Sequence, residues 1–175
     1  MGKYIACICE GGAERAILDL LLDNQKLIFE REDLIEEEVI SSRSGKEFQE
    51  RYLRKGFAGK ITIYRVLDSH SEKFNLSKAY EHKVDIKNVV TAPEIEMLII
   101  CNEGKYAEYK KEKGKNPNLK PNIYCRTNLK YKNVKSYEFV KEYFSDMSVL
   151  ISALREYRRI AKIRRNELSI WDLLR

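Results

Sequence analysis

Apolar positions along the chain follow two periods, and their alternation predicts the order of elements. Residues 3–9, including Tyr4-Ile5-Ala6-Cys7-Ile8-Cys9, read as a buried strand. Residues 13–23 read as a helix with Ala16, Ile17, Leu20 and Leu21 on its apolar side, stopped by Asn24. A short strand is expected at Leu27-Ile28-Phe29, followed by an acidic surface segment over 30–38. Ser44-Gly45-Lys46-Glu47 has capping-box spacing, and Phe48, Tyr52 and Leu53 give the helix behind it an apolar face. Gly56 and Gly59 end that helix before a strand over 60–67. The pattern then predicts a helix over 72–80, a strand over 84–90, and a helix from Pro93 to about Glu103.

Strand and helix thus alternate four times over residues 1–104. This order predicts an α/β fold with a mostly parallel central sheet flanked by helices. Residues 105–135 form a basic insert of weak periodicity, of the kind that is functional or mobile. From Ser136 the pattern is helical again: Leu150, Ile151, Leu154, Tyr157 and Ile160 share one side of a long helix. Leu168, Ile170, Trp171, Leu173 and Leu174 predict a last short element docked on the body. With 175 residues, the chain reads as one domain (1–175), with residues 136–175 packed on the 1–104 core.

Composition narrows the class. No apolar run is long enough to span a bilayer and nothing at the start resembles a signal peptide, so the expectation is a cytoplasmic protein without a membrane partner. Four cysteines and two histidines give zinc little support, and the thiols read as reduced and mostly buried, with Cys101 in a helix and Cys125 in a loop. The net charge of +6 is divided unevenly. Residues 1–104 carry 15 Lys+Arg against 19 Asp+Glu, and residues 105–175 carry 18 against 8. An acidic part suited to cations is followed by a basic part suited to phosphates.

Three acidic positions stand where core elements end or begin. Glu10 closes the first strand and precedes Gly11-Gly12, which let backbone approach a phosphate closely. It reads either as a general base or metal ligand, or as a charge at a helix N-terminus, a role Glu14 fills equally well. Asp68 closes the run 61–67 and reads either as a magnesium ligand or as an N-cap, which Ser69 or Ser71 also provides. Glu94 fits a capping box with Thr91. Glu96 lies beside Met97-Leu98-Ile99 and, if buried, needs a metal, a lysine or the basic insert as partner. The chain has no Gly-x-x-x-x-Gly-Lys-[Ser/Thr] loop, no Gly-x-Gly-x-x-Gly and no Gly-x-Ser-x-Gly elbow. Asp68-Ser69-His70 are neighbours on one element and do not make a triad.

Taken together, Ile8-Cys9-Glu10-Gly11-Gly12-Ala13-Glu14, Tyr64-Arg65-Val66-Leu67-Asp68-Ser69-His70 and Ala92-Pro93-Glu94-Ile95-Glu96-Met97-Leu98 resemble motifs of the Toprim-fold nucleases, particularly the RloB-like and OLD-type branches. The resemblance covers roughly residues 1–104 and its motifs are short. It implies phosphodiester cleavage with Mg2+ or Mn2+, in bacterial anti-phage defence or beside a partner ATPase or other protein subunit. Glu10 would handle protons or position water, and Asp68 with Glu94 or Glu96 would hold the ion, making these four the metal-site candidates. The family carries a second Asp where this chain has His70, a poor match to magnesium. Either Glu72, Glu94 or Glu96 supplies the missing carboxylate, or the site is degenerate.

DNA or RNA is the expected partner of the basic half. Lys110, Lys111, Lys120, Arg126 and Lys135 of the insert, with Arg155, Arg158, Arg159 and Lys162 of the C-terminal helix, are its candidate contacts, and the insert tyrosines are candidates to stack on bases. Two other readings stay open. One is a non-catalytic nucleic-acid- or nucleotide-binding module, favoured by His70. The other is an accessory subunit that docks on a larger complex.

Overall fold

A computed structural model describes residues 4–42, 44–55 and 59–175, so the expected strand start at Lys3 and the helix break at Gly56 lie outside the described residues. Three parallel strands, β1 (Tyr4–Cys9), β2 (Ile61–Leu67) and β3 (Val84–Val90), pair in the order β1-β2-β3. Eight helices lie among the described residues: α1 (Gly12–Asp23), α2 (Gly45–Arg51), α3 (Lys78–Glu81), α4 (Met97–Asn102), α5 (Tyr106–Lys115), α6 (Pro121–Thr127), α7 (Tyr137–Tyr143) and α8 (Met147–Ile160). The α/β class and the parallel sheet expected from the pattern are both present.

Strand alternation divides the interior in two, because successive side chains point to opposite faces. Cys7, Cys9, Tyr64, Val66 and Val89 share one core with α1, α4, α7 and α8. Ala6, Ile8, Ile61, Ile63 and Val84 share the other with Phe48 and Tyr52 of the α2 region and with Phe74, Leu76 and Tyr80. Both faces are covered, as a parallel sheet requires.

Both edges of the sheet are blunted by single bridges. Leu34 and Ile40 make parallel bridges to Ile5 and Ile8, so residues 34–40 run beside β1 as a broken fourth strand. The break falls at Glu36 and Glu37, whose φ of 64° and 55° lie in the left-handed region. At the other edge Leu168 bridges Val89. The interruption beside β1 leaves little room for unwanted strand pairing at that edge.

Several expectations need correction. No strand forms over 27–29; Leu27 makes one antiparallel bridge to Leu174, because the chain end, not the sheet, supplies its partner. The helix expected over 72–80 is reduced to α3, and residues 71–77 run without regular structure. Gly45 explains part of this: a Cβ there would lie 2.3 Å from the Asn75 carbonyl oxygen, so α2 and this segment pack backbone to backbone. The helix expected from Pro93 begins only at Met97, and Thr91 Oγ1 donates to the Leu67 carbonyl at 3.1 Å instead of capping near Glu94.

The basic insert is more regular than its weak periodicity predicts. It forms α5 and α6, anchored by buried Tyr109, Tyr124 and Cys125, so Cys125 is helical and not in a loop. The apolar face was hidden because tyrosines and one cysteine, interspersed with lysines, carry it. The Ser44 hydroxyl accepts the Glu47 N–H at 3.2 Å, as the capping spacing predicts. Residues Ile170–Leu173 form the expected final turn, whose Ile170 and Leu173 are buried.

Candidate functional site

The connection after β1 enters α1 on one face, whereas the connection after β2 carries Phe74 and Leu76 onto the other. With residues 34–40 beside β1, the carboxyl ends of β1 and β2 therefore part at a topological switch point, where open α/β sheets place ligands. A cleft of about 160 Å³ lies there, lined by Glu10, Gly11, Glu14, Arg65, Asp68 and Glu72 among others. Glu10 and Asp68, singled out from sequence, share this cleft, and both are exposed. Asp68 is no N-cap, since no helix follows it until Lys78.

Glu14 is the acid that the motif reading undervalued. It stands one helical turn after Glu10, and its carboxylate folds back over Gly11, where a Cβ would lie 1.9 Å from Glu14 Oε2. Burial pushes this carboxyl above its usual range. The charges of Glu96 and Asp68 act in the same direction, while its own backbone N–H and Lys135 oppose them. The glycine after Glu10 thus makes room for a second carboxyl in the turn. A four-residue spacing at the start of a helix was the available signal.

Glu96 does not line the cleft. It is 4% exposed, and its Oε1 lies 3.6 Å from Lys135 Nζ, so a lysine of the insert is the partner that a buried acid required. Burial raises its carboxyl above the usual range, Glu94 adds to the shift, and its own backbone N–H and Lys135 oppose it. Glu94 is half-buried and does not line the cleft either. Gly12 explains why Lys135 comes so near: a Cβ at Gly12 would lie 3.1 Å from the Lys135 carbonyl oxygen, so the start of α1 packs directly on the approach to α7.

Arg65 is the other residue that sequence reasoning passed over. It occupies the central strand, in register between Ile8 and Asn88, and is only 5% exposed. Its guanidinium lies over the Phe74 ring at 4.6 Å, faces Asn88 Oδ1 at 3.4 Å, and pairs with Glu72 Oε2 at 3.6 Å. Burial lowers its pKa, and Glu72 and Glu10 oppose the shift. A lone charge inside the run Ile61–Leu67 was the signal.

His70 does not line the cleft. Its Nδ1 lies 2.9 Å from both carboxylate oxygens of Glu167. The cysteines offer no nucleophile: burial pushes Cys101 up to about 11 and Cys9 and Cys125 up to about 12.

The candidate nucleic-acid contacts divide by environment. Lys110, Lys111, Lys120 and Arg126 are exposed on α5, α6 and the turn between them. Arg155 lies over the Trp171 ring, Arg158 pairs with Asp172 at 3.6 Å, and Arg159 pairs with Glu156 at 3.0 Å. Lys162 is exposed. The insert tyrosines are mostly occupied within the protein: Tyr109 and Tyr124 are buried edge to face, and the Tyr131 hydroxyl donates to Glu103. Stacking on bases by Tyr109 and Tyr124 is therefore excluded, because their rings already form core.

The acids that line the cleft, Glu10, Glu14, Asp68 and Glu72, offer oxygen donors, which suit a hard divalent cation. Among the described residues, no three His, Cys, Asp or Glu side chains stand close enough to hold an ion as placed. Glu10 and Asp68 are exposed, and rotation of these side chains changes their separation. No protein-family model, curated protein or solved structure matches this chain.

Proposed function

We propose that the protein is a Toprim-like phosphodiesterase that cleaves nucleic acid at the switch-point cleft, with Mg2+ or Mn2+ as its ion and anti-phage defence as its setting. One observation carries this reading. Glu10, Glu14 and Asp68 line one cleft where β1 and β2 diverge, and the half-buried Glu14, raised first by burial, is raised further by negative charge that a cation would relieve. Glu10 and Asp68, with Glu72, are the oxygen donors that would hold the ion. When bound, such an ion lowers the pKa of water and stabilises charge on a phosphoryl oxygen.

The chain's own groups divide the remaining work. Glu10, exposed at the mouth, accepts the proton of an attacking water. Glu14 adds a carboxylate one helical turn behind Glu10, and the leaving oxygen takes its proton from solvent. Lys135 tempers the negative field from the Glu96 side, and Arg65 holds Glu72 at the wall of the cleft. The basic half of the chain supplies phosphate contacts.

The test is plasmid nicking and RNA degradation by purified protein with magnesium or manganese. Cleavage is expected, and Glu10→Gln is expected to abolish it while leaving binding in place. A wild type that binds nucleic acid and cuts nothing with either metal refutes the hydrolytic reading. A non-catalytic binding module is then the better account, and the engagement of His70 by Glu167 favours it, because the position carries no second acid.

A further inference from the structure

His70 is bound to a part of the chain that the sequence does not bring near it. Both oxygens of Glu167 lie 2.9 Å from His70 Nδ1, across a separation of 97 residues. The Glu167 side chain is 9% exposed, and its Oε2 also accepts the Arg164 backbone N–H at 2.9 Å. Burial would raise this carboxyl, but the His70 hydrogen bond, the Arg164 N–H and nearby positive charge outweigh it and hold it below the usual range. A buried carboxylate is costly unless bonded in this way.

The flanking backbone is tied down on both sides. Lys162 N donates to the Ala92 carbonyl at 2.7 Å, Leu168 N to Asn88 at 2.8 Å, and Val90 N to Leu168 at 2.7 Å. Residues 162–168 thus form a strap beside the carboxyl end of β3. Its contact with His70 lies two residues from the cleft-lining Asp68, within about 7 Å along the chain.

The strap carries Lys162, Arg164 and Arg165, all exposed, with no ion pair to any of them among the described residues. Arg158 and Arg159, just before it, are already paired. These three cations therefore stand on the segment fastened beside the cleft, whereas Lys111, Lys120 and Arg126, also exposed, stand on α5, α6 and the turn between them.

We propose that Lys162, Arg164 and Arg165 are the phosphodiester-backbone contact of the site, and that His70 and Glu167 are positioning residues that hold them beside Asp68. This rests on the reading of the cleft as one that acts on nucleic acid.

The test uses the full chain with labelled duplex DNA and with RNA of the same sequence, titrated over a range of salt. Each phosphate neutralised contributes about 0.9 to the log–log salt slope on duplex DNA and about 0.7 on a single strand. Replacing all three with Gln is expected to reduce the slope by about 2.7 on duplex, or about 2.1 on a single strand. Glu167→Ala and His70→Ala are expected to lower it in part and to raise KM with kcat unchanged. Exchanging the pair, His70→Glu with Glu167→His, is expected to restore the slope.

An unchanged slope in the triple variant overturns the proposal. So does a loss in Glu167→Ala that the exchanged pair leaves in place, because the effect is then structural. If Glu167→Ala does not fold, the triple variant decides alone, since its three side chains are exposed. Binding with the expected slope but no cleavage retires the hydrolytic reading and keeps the strap. Cleavage with an insensitive slope retires the strap only. The polymer that is cleaved, and bound more tightly at equal salt, identifies DNA or RNA as the substrate.

Discussion

Lys135→Met removes the cation beside a buried acid while keeping much of the aliphatic stem. Glu96 is 4% exposed, and the Lys135 side chain, 65% exposed, reaches it at 3.6 Å. At that distance the attraction is about 1.2 kcal/mol in the dielectric of water and about 4.6 kcal/mol at an effective dielectric of 20. Because most of Lys135 is in solvent, screening keeps the loss near the lower figure, about 1–2 kcal/mol.

The pH dependence gives this prediction its sign. Burial and Glu94 hold the Glu96 carboxyl above its ordinary 4.5, and Lys135 pulls it down. Without Lys135 the folded-state value rises further. Between 4.5 and that raised value, the folded protein binds more protons than the unfolded chain, so stability falls as pH rises through the window. The destabilisation is therefore complete above the folded-state pKa and fades as pH drops toward 4.5. Urea unfolding followed by the fluorescence of Trp171, the single tryptophan, measures it at pH 8 and pH 4.5. An equal loss at both pH values, or none at pH 8, refutes the argument.

Three further outcomes follow from named contacts. Gly45→Ala places a Cβ against the Asn75 backbone and should cost about 1–3 kcal/mol in urea melts, whereas Gly11→Ala meets only the mobile end of Glu14 and should cost less than about 1 kcal/mol while displacing that carboxyl from the cleft. Equal costs for the two would show that the Asn75 contact is not tight. Arg65→Met should leave stability within about 1 kcal/mol of wild type, since it removes a desolvated cation and strands Glu72, whose side chain is 43% exposed, and the amide oxygen of half-buried Asn88, both within reach of water; a loss of about 3 kcal/mol or more would mark a stronger pairing than the geometry gives. The four thiols should resist a thiol reagent in the native protein at pH 8 and react in denaturant, because burial disfavours their thiolates. Rapid native labelling of Cys9 or Cys125 would contradict that.

Local pattern was sufficient for β1, β2, β3, α1 and α8, since each has an apolar run or stripe whose period is a property of the segment itself. It was sufficient also to place Glu10 and Asp68 just past the carboxyl ends of β1 and β2, because each follows directly on a buried strand. It failed over 27–29 and 72–80. There the partners are Leu174, Arg65 and the close backbone approach at Gly45, all distant in sequence. It failed in the insert because tyrosines form the buried stripe of α5 and α6 in place of aliphatic residues.

Sequence by itself determined which residues could be buried and which acids would stand at strand ends, for those follow from periodicity. Only the tertiary structure decided what each charge meets. Glu96 is held by Lys135, Arg65 is sunk beside Glu72 and Phe74, Glu14 is folded over a glycine, and His70 is bound by Glu167 instead of joining Asp68. Such pairings join residues tens of positions apart, where no local spacing encodes a distance. They are set by how the chain winds to opposite faces of one sheet.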